Sequence, residues 1–125
     1  MSISPWEWSV EVSSPDGKLT AIIKDAGEIA MGAPTSGTLR LSNGFTVEGC
    51  KPSIVWSSDS QYLAVPQWTK NKAQRLLIVE PATKKITVMP GSYRVLQLES
   101  FENGFISGID SPVHMPTQLR VHVTK

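Results

Sequence analysis

A ten-residue stretch, SSPDGKLTAI (13–22), comes back 43 residues later as WSSDSQYLAV (56–65), and that recurrence limits the fold more than any other feature of the chain. Ser14 falls on Ser57, Asp16 on Asp59, Leu19 on Tyr62, Ala21 on Ala64 and Ile22 on Val65. A second step of the same length puts Tyr62 on Phe105 and Leu63 on Ile106, while Val12, Val55 and Leu98 keep the spacing upstream. In each clear copy an apolar run is followed by a Ser/Asp turn and a second apolar run, the outline of a β-hairpin. A fixed period in the low forties means an array of similar units that bury their faces against each other.

The material between the hairpins is also strand-like. GTLRLSNGFTVEG alternates around Asn43-Gly44, the strongest short hairpin signal in the chain. RLLIVEPATKKITVMPG holds two β-rich runs around a Pro-Ala-Thr-Lys turn. In PTQLRVHVTK, Leu119, Val121 and Val123 alternate with Arg120, His122 and Thr124, so one face is buried and one is wet. Apolar residues nowhere keep helical spacing for three turns, and nine Gly and nine Pro punctuate the sequence. The expectation is an all-β protein of antiparallel sheets with ten or eleven short strands. It forms one domain over 1–125, built of units at roughly 7–49, 50–92 and 93–125.

Four strands per unit at this period describe a propeller blade. SPDGKLTAI and WSSDSQYLAV resemble the W-S-P-D-G-x-x-L-A signature of TolB-type and WD-repeat propellers, in which these residues turn between the first two strands of a blade. The resemblance implies that Trp56 and the apolar residues after each turn pack between neighbouring sheets. The WD dipeptide is absent, Gly17 becomes Ser60 in the second copy, and the third copy lacks the Asp. About three blades make an open or half-propeller, since closed rings need four or more. Such a fragment is expected to leave unpaired flanks, met by homodimerisation, by blunted ends or by a protein partner.

Composition narrows the function. Net charge is +1, from 12 basic and 11 acidic residues, so neither nucleic acid nor a membrane surface is the expected partner. The N-terminal stretch has no basic segment ahead of an apolar core, and the single Cys50 rules out an internal disulfide; both suit a cytoplasmic protein. His114 and His122 have no Cys or carboxylate cluster at metal-ligand spacing, and no nucleophile elbow or phosphate-binding Gly loop occurs. We therefore expect a non-enzymatic protein without metal or cofactor, with Cys50 a buried structural thiol.

Binding candidates lie in the loops. In PQWTKNKAQR, Trp68 stands among Lys70, Lys72 and Arg75, residue types that favour interface hot spots. A second group gathers Tyr93, Glu99, Phe101, Glu102 and Asp110, and His114 sits in a Pro-bounded loop. Trp6 and Trp8 share one strand face, which places at least one in the core. The segment 25–37, rich in small residues, reads as a binding loop or linker. A small free-standing chain of this kind is expected to bind one protein. The specific form favoured is an immunity protein that covers the active site of a bacterial toxin domain. The alternatives are a self-associating scaffold subunit and a small propeller hydrolase or ligand-binding protein.

Overall fold

The computed structural model describes residues 9–23, 27–28, 35–68, 73–91, 93–110 and 117–123. Trp6, Trp8, Lys70, Lys72, His114 and most of the segment 25–37 lie outside the described residues. The all-β antiparallel expectation holds. The strands are β1 (Val10–Ser13), β2 (Thr20–Ile23), β3 (Gly27–Glu28), β4 (Thr35–Leu41), β5 (Thr46–Cys50), β6 (Val55–Trp56), β7 (Leu63–Trp68), β8 (Gln74–Glu80), β9 (Lys85–Val88), β10 (Leu96–Glu102), β11 (Phe105–Asp110) and β12 (Thr117–His122). Among the described residues there are twelve strands where ten or eleven were expected; β3, a two-residue piece, is too short to leave a pattern in the sequence.

Three antiparallel meanders follow one another along the chain. The first runs β1-β2-β4-β5, the second β6-β7-β8-β9 and the third β10-β11-β12. The first two share one hydrogen-bonded sheet through a junction at Cys50 opposite Gln67, reinforced by Lys51 N–H donating to the Pro66 carbonyl at 2.8 Å. The third is a separate sheet.

Two cores hold the meanders together, and the middle one serves both. Leu63, Val65, Leu77 and Val79 face the first core with Val10, Ile23, Leu39, Leu41 and Trp56. Ala64, Leu76 and Ile78 face the second with Leu96, Leu98, Phe101 and Ile106. That is why β7 and β8 read as continuous apolar runs while β1, β2 and β10 alternate. Trp56 is 5% exposed, and its indole N–H donates to the Val12 carbonyl at 2.9 Å, tying the start of the second meander to β1.

The outward faces of the end meanders carry mostly polar side chains. Strand register places Glu11, Ser13, Thr20, Ile22, Arg40 and Thr46 on the outer face of the first. The outer face of the third carries Gln97, Ser107, Ile109, Gln118, Arg120 and His122. Phe105 on that face is covered by the Arg120 guanidinium, 4.4 Å from its ring centre, and by His122 at 4.6 Å. Among the described residues both ends of the stack are therefore largely polar, as a sheet face left in water must be.

Candidate functional site

Each Ser-x-Asp turn builds the same hydrogen-bonded frame. In the first, Ser14 Oγ donates to Asp16 Oδ1 at 2.6 Å and accepts from Leu19 N–H at 3.2 Å, while Lys18 N–H donates to the same carboxylate oxygen at 3.0 Å. In the second, Ser57 Oγ donates to Asp59 Oδ1 at 2.5 Å and accepts from Tyr62 N–H at 3.0 Å, and Gln61 N–H reaches Asp59 at 3.1 Å. A short carboxylate beside a hydroxyl can satisfy a turn in this way, which is why these residue types recur there. The Ser14 hydroxyl and then the Lys18 N–H hold the Asp16 carboxyl below its ordinary value, so it is ionised at neutral pH.

The turns are also joined to each other. The third turn of the array is Asn103-Gly104, and the residues at equivalent places, Gly17, Ser60 and Asn103, all take positive φ of 74°, 65° and 53°. Ser60 is the unexpected one, because a residue with a Cβ is strained there. Its hydroxyl explains it: Ser60 Oγ accepts the Asp16 N–H at 2.9 Å, so the second turn holds the first. On its other side the second turn holds the third meander, since Ser58 N–H donates to the Phe101 carbonyl at 2.9 Å.

Two concavities open on this turn-bearing end. One, of about 410 Å³, lies between the second and third meanders and is lined by Ser58, Asp59, Tyr62, Phe101, Asn103 and His122. The other, of about 850 Å³, crosses from the first to the second and is lined by Asp16, Lys18, Asp59, Gln61, Tyr62, Glu80, Pro81 and Lys84, among others. They share Asp59 and Tyr62, so a single contoured face spans all three meanders. Its polar groups stand on fixed turns rather than on long loops.

The residues expected to bind a partner divide between the two ends. Trp68, Arg75, Tyr93 and Asp110 come together at the opposite end, where β7 finishes and β8 and β10 begin. Trp68 is half-buried beneath the Lys51 ammonium, 4.5 Å from its ring centre, and exposed Arg75 donates to Gln67 Oε1 at 2.8 Å. Tyr93 exchanges backbone hydrogen bonds with Gln74, and its hydroxyl is pushed up by burial and then by the Asp110 charge. Asp110 Oδ1 accepts the N–H groups of Arg94 and Val95, each at 3.0 Å, a structural use of that carboxylate. Phe101 is 3% exposed and belongs to the second core, touching the surface only at the rim of the smaller concavity. Glu99 and Glu102 are exposed strand positions. Asp59, Gln61, Tyr62 and His122 were the residues sequence reasoning left out as contacts. The repeated turn was the signal, and it pointed first to fold.

The same end conceals two polar side chains. Gln74 is fully buried; its Oε1 accepts Leu96 N–H at 2.9 Å, and its Nε2 has no hydrogen-bond partner among the described residues. Lys51 is also fully buried, and burial pushes its ammonium down from 10.5 to about 8. Between those two values the unfolded chain holds a proton that the folded chain has released, so folding stability rises with pH across that window and is lowest below it. Cys50 acts in the opposite sense, because burial pushes its thiol from 9.0 up to about 12. Comparison with Lys51→Met cancels that term. The melting temperature of the wild type is expected to climb relative to Lys51→Met between pH 8 and 10, read by circular dichroism; a constant difference would show that Lys51 does not titrate in that range.

The chain matches no protein-family model, no curated protein and no solved structure.

Proposed function

We propose that this chain is a non-catalytic protein-binding module, an open three-blade propeller-like stack that holds one protein partner on its turn-bearing end. The observation that carries the reading is the continuous face formed where the two concavities meet at Asp59 and Tyr62. Hydrogen bonds within and between the turns fix that face before any partner arrives. A preorganised surface loses little freedom on association, which favours affinity. The 43-residue recurrence of the turn and the double-sided burial of β7 and β8 support the blade reading. In its specific form the partner is a toxin domain whose active site this face covers, as immunity proteins do.

The test is affinity capture from the source cells with three proteins. Wild type and an outer-face control, Arg40→Glu with Glu48→Lys, are expected to retain the same partner. Lys18→Glu with Gln61→Glu, both exposed on the turn-bearing face, is expected to lose it by about tenfold or more in affinity, the equivalent of roughly 1.4 kcal/mol. Equal retention by all three would overturn the assignment of the face, and catalytic turnover of any partner would overturn the non-enzymatic reading.

A further inference from the structure

Among the described residues β9 forms the outer edge of the larger sheet, and all four of its residues are exposed. Its ladder with β8 decides which backbone groups are already used. Met89 N–H donates to the Leu76 carbonyl at 2.9 Å, and Thr87 and Lys85 share that phase of the ladder, opposite Ile78 and Glu80. In an antiparallel pair such positions alternate with ones whose N–H and C=O turn away from the neighbour. The N–H and C=O of Ile86 and Val88 therefore point out of the sheet.

The side chains of the same two residues reinforce the point. They stand opposite Val79 and Leu77, both members of the first core, and so share that face of the sheet. Ile86 is 38% exposed and Val88 50%, and these are the large hydrophobic residues exposed among the described part of the chain. Natural edges are blunted by lysine or proline. Here Lys85 guards the end nearest the turn and Pro90 lies beyond the strand, leaving the two apolar positions between them open.

We infer that an extended segment of the protein partner pairs with the free edge of β9 and covers Ile86 and Val88 with its own alternate apolar side chains; this rests on the protein-binding reading above. Continuity identifies the occupant. Pro81, Ala82 and Lys84 line the larger concavity, and the next residue, Lys85, begins β9. A segment leaving that concavity passes directly onto the edge. Pairing of β9 with a second copy of itself would join only four residues from each chain, far short of the roughly 1,000 Å² a lasting interface needs. A partner already seated on the turn-bearing face has no such shortfall, and main-chain pairing adds to the contact it makes there.

The probe is a synthetic peptide with the sequence QRLLIVE, the strand that β9 already pairs with on its other side. Titrated into the full chain, it is expected to shift the amide resonances of Ile86 and Val88 saturably and to slow their hydrogen exchange by about tenfold or more, leaving the Thr87 amide, already bonded to β8, unchanged. Val88→Pro deletes one outward N–H without touching the β8 ladder, a substitution edge strands accept. It is expected to weaken the peptide, and equally the captured partner, by roughly tenfold. Should Val88→Pro disturb the fold, Ile86→Lys places a charge at an already exposed position and serves the same purpose. Peptide shifts that miss Ile86 and Val88, or unaltered partner affinity in both variants, would overturn the inference while the protein-binding reading stands. Loss of partner binding confined to Lys18→Glu with Gln61→Glu would overturn it in the same way. Failure of the wild type to retain any partner, together with peptide binding at β9, would instead remove the protein-binding reading and leave the edge as a strand-pairing site.

Discussion

Gly108→Ala is expected to be the most damaging single-methyl change among the described residues. A Cβ at this position would lie 2.5 Å from the Gln97 carbonyl oxygen and 3.1 Å from Leu98 Cα, both backbone atoms of β10. Flexible side-chain ends can move aside, but β10 cannot retreat without giving up its pairing with β11. The contact falls at the β-bulge between Leu98 and Ser100, where the absence of a side chain lets the two strands close. β10 also delivers Leu96, Leu98 and Phe101 to the second core, so the disturbance spreads beyond one pair. Overpacking ordinarily costs about 1–3 kcal/mol, and an unyielding backbone puts this case at the upper end, about 3 kcal/mol. For a chain of this length that is a fall of roughly 10 °C in melting temperature. Ser107→Ala, one residue away on the outer face, is the control and is expected to change stability by less than about 0.5 kcal/mol. Equal melting of the two variants would show that β10 and β11 do not approach so closely.

Trp56→Ala is the second large effect, for a different reason. The indole fills the first core between the first and second meanders and also bonds the Val12 carbonyl. Removing a buried aromatic side chain costs about 3–5 kcal/mol, because the surroundings collapse only partly into the space. Trp56→Phe keeps most of the volume and deletes the hydrogen bond, for which about 1 kcal/mol is expected. Chemical denaturation should therefore rank wild type above Trp56→Phe and Trp56→Phe well above Trp56→Ala. If the phenylalanine variant proved as unstable as the alanine one, the indole hydrogen bond rather than packing would be what joins these meanders. A loss near 4 kcal/mol is a large share of the roughly 5–15 kcal/mol typical of a domain.

The sequence makes some of this legible and hides the rest for physical reasons. The 43-residue recurrence locates both Ser-x-Asp turns, because a short carboxylate, a hydroxyl and a residue tolerant of positive φ are needed together. Trp56 reads as core through the resemblance of WSSDSQYLAV to a blade hairpin. Ser60 reads as a departure from glycine, since its use depends on Asp16 lying 2.9 Å away in space and 44 residues away in sequence. Lys51 and Gln74 read as surface residues, and nothing local says otherwise; Lys51 is buried at the junction of the first and second meanders, beside Pro66 and Trp68, and Gln74 against Leu96 of the third. The polar ends of the stack were equally hidden, because alternation reveals that one face is wet without revealing which meander it terminates. Phe101 misleads for the converse reason: an aromatic among Glu99 and Glu102 resembles a contact residue, yet its own strand turns it inward. The candidate face was missed because its residues belong to motifs that had already been given a structural use.

The measurement that bears most directly on this picture of a self-sufficient stack is the solution mass of the purified chain, by light scattering over a wide range of concentration. Among the described residues the outward faces carry Glu11, Arg40, Thr46, Gln118, Arg120 and His122 beside Ile22, Ile109 and Phe105. The monomer, 13.7 kDa, is expected throughout, with the turn-bearing face and the β9 edge left for a different protein. A stable dimer at the lowest concentration would contradict that expectation and make completion of a ring by self-association the chain's principal activity.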